Sequence, residues 1–275
     1  MKKFVFIDID GTLYDKASHC VPESAKTALK MAKERGHELF ICTGRTKGMV
    51  ESTYHQLPVS GFVYGCGAHI EKNGQLLFSV QFPKEEMDNL MDYFQKHDIE
   101  YTLEGRDVSY FSEASMQVYM SYFCDKNPEM KERFTSGIMV KKLAEVDEAG
   151  KQQVLKMAFQ TKNEKALMEK LNNLSDKLTY FIYSDSFSGD IEGEILVKGA
   201  DKADSIDRVI EICQGNLEDT IAIGDSDNDI SMIQKAGIGI AMGNACDSLK
   251  EAADYITTAV SEDGLYTAFE VMELI

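Results

Sequence analysis

Apolar runs of strand length, alternating with helical patterns, are the feature that most constrains what this chain can fold into. They occur near both ends of the chain: FVFI (4–7), ELFIC (38–42), GFVYG (61–65), TIAIG (220–224), IGIAM (238–242) and DYITT (254–258). Between them, apolar residues recur at helical spacing after Pro22 and before Gly36, and again before Gly215. Such alternation is typical of βαβ units. It predicts an α/β fold with a doubly wound parallel sheet.

The middle of the chain has a different texture. KNGQ (72–75) is a hairpin signal between two apolar segments, and Pro83 opens a helical stripe of methionine, leucine and phenylalanine. A further helix is predicted at about 163–174, and the strand-like segments lie at 100–103, 108–111, 153–160 and 178–183. Residues 116–150 match neither pattern. Mixed helices and strands of this kind predict an α+β module.

The length of 275 residues suits one large domain or two modest ones. Together with the change in texture, it predicts a core domain formed by residues 1–82 and 186–275. The α+β module, residues 83–185, is then an insertion into that core.

Charge and hydropathy exclude several classes of protein. With 29 basic and 46 acidic residues, the net charge is -17, so a broad surface for nucleic acid or for an anionic membrane is not expected. No apolar run approaches the roughly 18 residues of a membrane span, and MKKFVFIDID does not read as a signal peptide. Six scattered cysteines without a CxxC pair favour reduced thiols. We expect a cytoplasmic protein that is a monomer or a weak homodimer.

Acidic residues follow two of the predicted strands. Asp8 and Asp10 come directly after FVFI, and residues i and i+2 of an extended segment point the same way. The TIAIG strand ends in GDSDND, which adds Asp225, Asp227 and Asp229. Ligands of open parallel sheets bind beyond the carboxyl ends of the strands, where these acids would converge. Converging acids repel, and a hard divalent ion such as Mg²⁺, which prefers oxygen ligands, relieves that repulsion.

Groups suited to binding an anion follow other predicted elements. Thr43, Gly44 and Arg45 come directly after ELFIC and offer a hydroxyl and backbone amides at the predicted mouth of a helix. Lys202 stands at the start of another predicted helix. Each feature alone is most simply a helix cap or a solvated side chain, and Arg45 a structural ion-pair partner. Taken together with the acids, they predict a clamp for a phosphoryl group with a carboxylate nucleophile beside it.

Four motifs in this order resemble those of the haloacid dehalogenase superfamily: DIDGT (8–12), TGR (43–45), the lysine of KGADK (198–202) and GDSDND (224–229). The large insertion and the later segments IGIAMGNA, ADYITT and EDGL resemble the Cof-type sugar-phosphatase branch, whose inserted domain is a type IIB cap. The sequence departs from the usual pattern at Cys66, often Asn, and at Ala203, often Gly. The resemblance implies a Rossmann-like catalytic core with an α+β cap.

The resemblance also implies roles for individual residues. Asp8 would be the nucleophile that becomes an aspartyl phosphate, and Asp10 the acid and then the base. Mg²⁺ would be held by Asp8, by the backbone carbonyl of Asp10 and by Asp225. The phosphoryl oxygens would be held by Thr43, the amides of Ile9 and Gly44, Lys202 and Asn228. Asp229 would orient Lys202 or a metal-bound water, and Asn244 would line the substrate pocket.

Three functions fit these residues. The first is an Mg²⁺-dependent phosphatase that acts on a small phosphorylated metabolite and uses cap closure to exclude water. The second is a sugar phosphomutase of the same superfamily. The third is a phosphate-binding regulatory protein with an idle site, against which the intact pair Asp8 and Asp10 argues. The acid at position 10 favours phosphate-ester hydrolysis.

Overall fold

The computed structural model of the chain describes residues 1–121, 128–136, 139–183 and 189–275. It divides into two compact units. Unit 1 comprises Met1–Gly44, Ser52–Phe78 and Asp201–Ile275, and unit 2 comprises Arg45–Glu51 and Ser79–Ala200. Over the described ranges, no helix combines the length and the apolar character that crossing a membrane requires.

Unit 1 is built on an eight-stranded sheet, with strands numbered along the whole chain. Its strands are β1 (Phe4–Ile7), β2 (Glu38–Cys42), β3 (Gly61–Tyr64), β4 (His69–Lys72), β5 (Gln75–Ser79), β12 (Thr220–Gly224), β13 (Ile238–Ala241) and β14 (Tyr255–Ile256). Their spatial order is β14-β13-β12-β1-β2-β3-β4-β5. The six strands from β14 to β3 are parallel, and β4 runs antiparallel to β3. The predicted doubly wound α/β fold is therefore confirmed.

The helices of unit 1 include the two that the sequence predicted before Gly36 and Gly215. They are α1 (Glu23–Glu34), α7 (Lys202–Cys213), α8 (Ile230–Lys235), α9 (Asp247–Ala252) and α10 (Gly264–Val271). Helix α1 begins directly after Pro22 and is followed by Gly36, whose φ of +89° suits a glycine. Its buried face consists of Ala25, Ala28, Leu29 and Ala32, the residues whose helical spacing was predicted.

Unit 2 contains a six-stranded sheet and five α-helices among the residues that the structure describes. Its strands are β6 (Glu100–Gly105), β7 (Ser109–Phe111), β8 (Val140–Lys142), β9 (Val154–Thr161), β10 (Leu178–Ile182) and β11 (Ile191–Val197), in the order β10-β11-β9-β6-β7-β8. Its helices are α2 (Lys84–Lys96), α3 (Glu113–Tyr119), α4 (Pro128–Thr135), α5 (Glu148–Lys151) and α6 (Glu164–Leu171). Apolar residues of α2 and α6 pack with Leu103, Met157 and Ile195 of the sheet in the main core of this unit.

Several predicted element assignments differ from the structure. The predicted boundary at 185/186 placed β11 in the core domain, whereas β11 pairs with β9 and β10 and lies in unit 2. Residues 45–51 also lie in unit 2 rather than with the first predicted core segment. The predicted helix after ELFIC is wrong, because the chain bends at Gly44 and forms only a 3₁₀ turn at Lys47–Met49. The hairpin at KNGQ is present, with Asn73 and Gly74 at positive φ.

Unit 2 also contains a buried ion cluster on the opposite face of its sheet from the main core. The ammonium of Lys156 lies 2.6 Å from the Glu194 carboxylate and 3.2 Å from that of Glu104, and only 2% of the lysine side chain is exposed. The hydroxyl of Tyr183 donates to the same Glu194 oxygen at 2.7 Å. Burial raises the pKa of Glu104 to about 7, with Glu194 adding to the shift and Lys156 opposing it.

Replacing Lys156→Met should destabilise unit 2 by about 3–5 kcal/mol, because two buried carboxylates then lose their counter-charge. Urea unfolding followed by circular dichroism measures the change. Lys162→Met is the matched control, since the side chain of Lys162 is 86% exposed. It should change the free energy of unfolding by at most about 0.5 kcal/mol. Equal effects of the two substitutions would contradict a stabilising role for the buried cluster.

The stability of the protein should also depend on the protonation of Glu104. Because its pKa is higher in the folded chain than the ordinary 4.5, the folded state binds more protons than the unfolded state between about pH 4.5 and about pH 7. The free energy of unfolding should therefore fall as pH rises through that range. Glu104→Gln should flatten this part of the profile, as measured by urea unfolding at half-unit pH steps, and an unchanged slope would refute the assignment.

Candidate active site

The site begins where two neighbouring parallel strands end. In the pairing of β1 with β12, Phe4 lies opposite Thr220 and Ile7 lies opposite Ile223. Both strands therefore end at the same edge of the sheet. The amide of Asp8 continues this pairing by donating to the carbonyl of Ile223 at 3.0 Å. The carboxyl ends of β1 and β12 thereby bring Asp8 and Asp225 together, as the sequence predicted for an open parallel sheet.

Three carboxylates meet at this edge. One oxygen each from Asp8, Asp225 and Asp229 lies within 4.8 Å of the others, and all three residues are buried. Burial, followed by the charge of Asp229, raises the pKa of Asp8 to about 7. Burial and the charge of Asp8 raise the pKa of Asp225 to about 8. A divalent cation beside these oxygens would lower both pKa values, so the donor set fits a hard metal ion.

Lys202 supplies the positive charge of the cluster. As the first residue of α7 it is 1% exposed, and its ammonium donates to Asp8 Oδ1 at 2.7 Å and to Asp229 Oδ1 at 2.5 Å. Burial alone would lower the pKa of Lys202, but the charges of Asp229 and Asp8 outweigh it and raise that pKa well above its ordinary value. Lys202 therefore stays charged in a buried position.

Asp229 is bound on both sides by the protein itself. Its Oδ1 accepts from Lys202, and its Oδ2 accepts from the amides of Asp225 and Ser226 at 3.1 and 3.2 Å. Ser226, whose amide donates to this carboxylate, is the N-cap residue of the 3₁₀ turn Asp227–Asp229. With both oxygens engaged, Asp229 is placed to orient Lys202 and the Asp225 backbone.

The loop that carries Asp10 packs against Asp225. Its turn is closed by the amides of Leu13 and Tyr14, which donate to the carbonyl of Ile9, while the half-buried Asp10 raises the pKa of Asp8 through its charge. The hydroxyl of Thr12 donates to Asp225 Oδ1 at 3.2 Å. Thr12 was not among the predicted site residues, although its place in the DIDGT motif was the available signal.

The backbone directly after β2 differs in its hydrogen bonding between Thr43 and Gly44. Thr43 is buried, its amide donates to the carbonyl of Val63 at 2.9 Å, and its carbonyl accepts from the amide of Cys66 at 3.0 Å. Among the described residues, none accepts a hydrogen bond from the amide of Gly44 or from that of the buried Ile9. A buried N–H without a protein acceptor is rare, and these two amides suit the oxygens of an anion.

Asn228 and Asn244 lie in loops beside the acids, and both make protein contacts. Asn228 Oδ1 accepts from the hydroxyl of Ser226 at 2.9 Å. Asn244 Nδ2 donates to the carbonyl of Gly11, and its Oδ1 accepts from the amide of Val260, each at 2.8 Å. The side chain of Asn244 thus ties the Asp10 loop to the segment before α10.

The contacts of Arg45 and Asp227 bear on roles that the sequence left open. Arg45 Nη1 lies 2.6 Å from Glu51 Oε2, which agrees with a structural ion pair. The sequence leaves two roles open for Asp227, the N-cap of the helix that contains Ile230 and Ile233, or a metal ligand. The N-cap residue of that helix, α8, is Asp229, and Ser226 caps the 3₁₀ turn Asp227–Asp229 before it. The Asp227 carboxylate instead accepts from the hydroxyl of Ser248 at 2.6 Å.

At one edge of the α/β sheet the chain brings together acids, a buried lysine and open amides. This fold and site define a class of protein, an α/β enzyme suited to phosphate-ester hydrolysis. A sequence profile of the haloacid dehalogenase-like hydrolases matches residues 5–269. The chain belongs to this family and is a phosphoric monoester hydrolase. The resemblance seen in the sequence is confirmed.

Individual relatives agree with this placement. The putative phosphatase YkrA of Bacillus subtilis is 29% identical, and the alignment covers 99% of this chain and 97% of YkrA. YcsE of the same organism, a 5-amino-6-(5-phospho-D-ribitylamino)uracil phosphatase, is also 29% identical, over 97% of this chain and 94% of YcsE. The solved structure of the subclass IIB sugar phosphatase BT4131 superposes with a TM-score of 0.81 at 26% identity and covers both chains completely.

Gly11 is a position where any side chain should displace Asp225. Its φ is +100°, and a Cβ there would lie 2.1 Å from Asp225 Oδ2. Gly11→Ala should lower the free energy of unfolding by more than about 2 kcal/mol, the sum of backbone strain and the clash. Gly36→Ala is the control, because φ is +89° there but nothing lies within 4 Å of the added Cβ. It should cost about 1 kcal/mol in the same urea titration, and equal costs would contradict the contact with Asp225.

Proposed function

We propose that the protein is an Mg²⁺-dependent phosphatase that hydrolyses small phosphorylated metabolites through an aspartyl phosphate on Asp8. The observation that carries the proposal is the buried cluster of Asp8, Asp225 and Lys202 at the common end of β1 and β12. The family and its phosphatase relatives support the reaction class. Asp10, two residues after the nucleophile, supplies the acid that ester cleavage needs.

The proposed reaction has two steps. A carboxylate oxygen of Asp8 attacks phosphorus in line, the P–O bond to the leaving alcohol breaks, and Asp10 gives its proton to that alcohol oxygen. In the second step Asp10 takes a proton from water, whose oxygen attacks the phosphorus. The bond between phosphorus and the Asp8 oxygen then breaks, which frees inorganic phosphate, restores the Asp8 carboxylate and leaves Asp10 protonated as at the start.

The other site residues would bind and orient the ester. Lys202 neutralises charge on the phosphoryl oxygens and keeps Asp8 in place through their 2.7 Å contact. The proposed remaining contacts to these oxygens come from the amides of Ile9 and Gly44, the Thr43 hydroxyl and Asn228. Asp229 holds Lys202 in position, and Asn244 supports the Asp10 loop from Gly11.

Mg²⁺ would be held by the carboxylates of Asp8 and Asp225 together with the backbone carbonyl of Asp10. When bound, it supplies charge that lowers the pKa of both carboxylates and offsets the negative charge of the phosphoryl oxygens. The raised pKa values of Asp8 and Asp225 support this assignment, because a nucleophilic carboxylate has to be ionised at neutral pH. Asp229 is less suited as a direct ligand, since both of its oxygens already accept hydrogen bonds.

The substrate we propose is a phosphomonoester of a sugar or a related polyol. Support comes from the sugar phosphatase BT4131, and from relatives such as YcsE that act on 5-amino-6-(5-phospho-D-ribitylamino)uracil, whose phosphate is carried by a ribityl chain. A panel of metabolite phosphates that includes this compound and glucose 6-phosphate would rank the substrates by kcat/KM. Glucose 1-phosphate with product analysis separates hydrolysis from isomerisation, because a mutase forms the isomer without free phosphate.

Asp8→Asn should reduce release of inorganic phosphate from p-nitrophenyl phosphate at least about a thousandfold, because the amide is not a nucleophile. Asp219→Asn removes one charge at the opposite end of β12 and should leave kcat/KM within about twofold of the wild-type value. EDTA should abolish activity, and excess MgCl₂ should restore it. Full activity of the Asp8 variant, or of the EDTA-treated protein, contradicts the proposal.

A further inference from the structure

The turn between β3 and β4 has an uncommon backbone conformation. Its residues Gly65, Cys66 and Gly67 all have positive φ, at 57°, 60° and 121°. Glycine adopts this region freely, whereas a residue with a side chain is uncommon there. Cys66 is also buried, at 2% exposure. A side chain in such a conformation persists only where the surrounding structure holds the backbone in place, and this often occurs at functional sites.

The amide of Cys66 binds the chain directly after β2. It donates to the carbonyl of Thr43 at 3.0 Å, and the amide of Thr43 donates to the carbonyl of Val63 at 2.9 Å. Strand β3 and the turn that follows it thus fix the two peptide units on either side of Thr43. Because Thr43 is 1% exposed, water would not readily replace these hydrogen bonds if the turn moved.

The carbonyl of Thr43 and the N–H of Gly44 belong to one peptide unit. A trans peptide unit is planar, so these two groups point in opposite directions and turn together. The hydrogen bond from Cys66 therefore sets the direction of the Gly44 N–H, which has no protein acceptor among the residues described. The same bond polarises the peptide unit and makes that N–H a stronger donor. All of these residues lie in unit 1.

The turn also lies against α7, the helix whose first residue is Lys202. A second contact joins β2 to this helix, since Cys42 Sγ lies 3.9 Å from Ser205 Oγ. The turn at residues 65–67 therefore contacts both parts of unit 1 that carry proposed phosphate ligands, the chain after β2 and the start of α7.

We infer that Cys66 is a positioning residue for phosphate binding: through its hydrogen bond to the Thr43 carbonyl, the turn Gly65–Gly67 orients the Gly44 N–H toward a phosphoryl oxygen. The inference rests on the proposed function, because it takes that oxygen as the acceptor. It deepens the function by assigning part of the affinity for phosphate to a residue whose backbone, and not its thiol, acts on the site. The effect is then independent of the leaving group.

Inorganic phosphate, titrated by calorimetry into the intact chain with MgCl₂ present, tests the inference. Cys66→Val should weaken the Kd for phosphate about tenfold, the loss expected for one misdirected hydrogen bond to a charged group, because a β-branched residue disfavours positive φ. Cys66→Asn should restore most of the affinity, since asparagine is close to valine in size but adopts positive φ readily. In Cys66→Val the KM for p-nitrophenyl phosphate and for glucose 6-phosphate should rise by the same factor.

The Gly44 amide can be observed directly by proton–nitrogen correlation NMR. In the wild-type chain, phosphate should move the Gly44 proton resonance downfield, because the N–H gains a charged acceptor. In Cys66→Val, saturating phosphate should move this resonance less. A Gly44 resonance that responds equally in the two proteins overturns the inference. An equal loss of affinity in Cys66→Asn also overturns it, because the effect would then belong to the thiol.

Gln214→Val is the matched control. Gln214 also lies in unit 1 at a positive φ of 53°, but it is exposed and follows α7 at the opposite end of that helix from Lys202. The same unfavourable substitution should lower the thermal midpoint there as well, while the Kd for phosphate stays within about twofold. A loss of affinity equal to that of Cys66→Val would show a general effect of backbone strain and contradict the role of the turn.

The outcome for the inference is separable from that for the proposed function. Wild-type protein that binds phosphate but releases none from any ester refutes the phosphatase proposal, while the Kd values of the variants still decide the role of Cys66. Wild-type protein that hydrolyses esters, with unaltered phosphate affinity in Cys66→Val, refutes only the inference. Wild-type protein that neither binds phosphate nor hydrolyses an ester refutes both.

Discussion

The ammonium of Lys202, held between Asp8 and Asp229, is the interaction on which the site depends. Three buried carboxylates with oxygens within 4.8 Å of one another repel strongly, and this lysine lies within 2.7 Å of two of them. Burial raises the pKa values of Asp8 and Asp225, and the charges of the neighbouring aspartates add to that shift because one lysine does not balance them. The chain thus builds a buried pocket of net negative charge in which a dication is the natural complement.

Contacts with the backbone hold the side chains of this charged cluster in position. Asp229 binds the Asp225 and Ser226 amides, Gly11 lets the Asp10 loop lie directly on Asp225, and Asn244 fastens that loop from the other side. Catalytic groups gain from such support, because reacting atoms have to be placed within about half an ångström of their productive positions. The same contacts explain why glycine and small polar residues follow both strands.

The apolar runs predicted the parallel sheet, and the acids that follow two of them were expected to meet if those strands are neighbours, because parallel strands end at one edge of a sheet. The position of Lys202 at the start of a predicted helix, together with the family resemblance, predicted a place in the site. Its contact with Asp8, across 194 residues, is a finding of the structure. The change in texture along the chain placed β11 with the core, whereas its alternating Glu192 and Glu194 fit the half-polar face of the second sheet. The choice of partner for a strand is a long-range property that one sequence segment does not contain.

The long segment Ser79–Ala200 of unit 2, which separates β5 from α7 along the chain, has a consequence for the order of folding. During synthesis Asp8 emerges 194 residues ahead of Lys202, a delay of roughly 10 to 40 s at 5 to 20 residues per second. Over that interval β1 can pair with β2 but has no β12 beside it, so one edge of a fully apolar strand is exposed on the nascent chain. The open edge of β1 has to be protected from pairing with other chains until residue 224 has left the ribosome. In the folded protein β12 covers that edge.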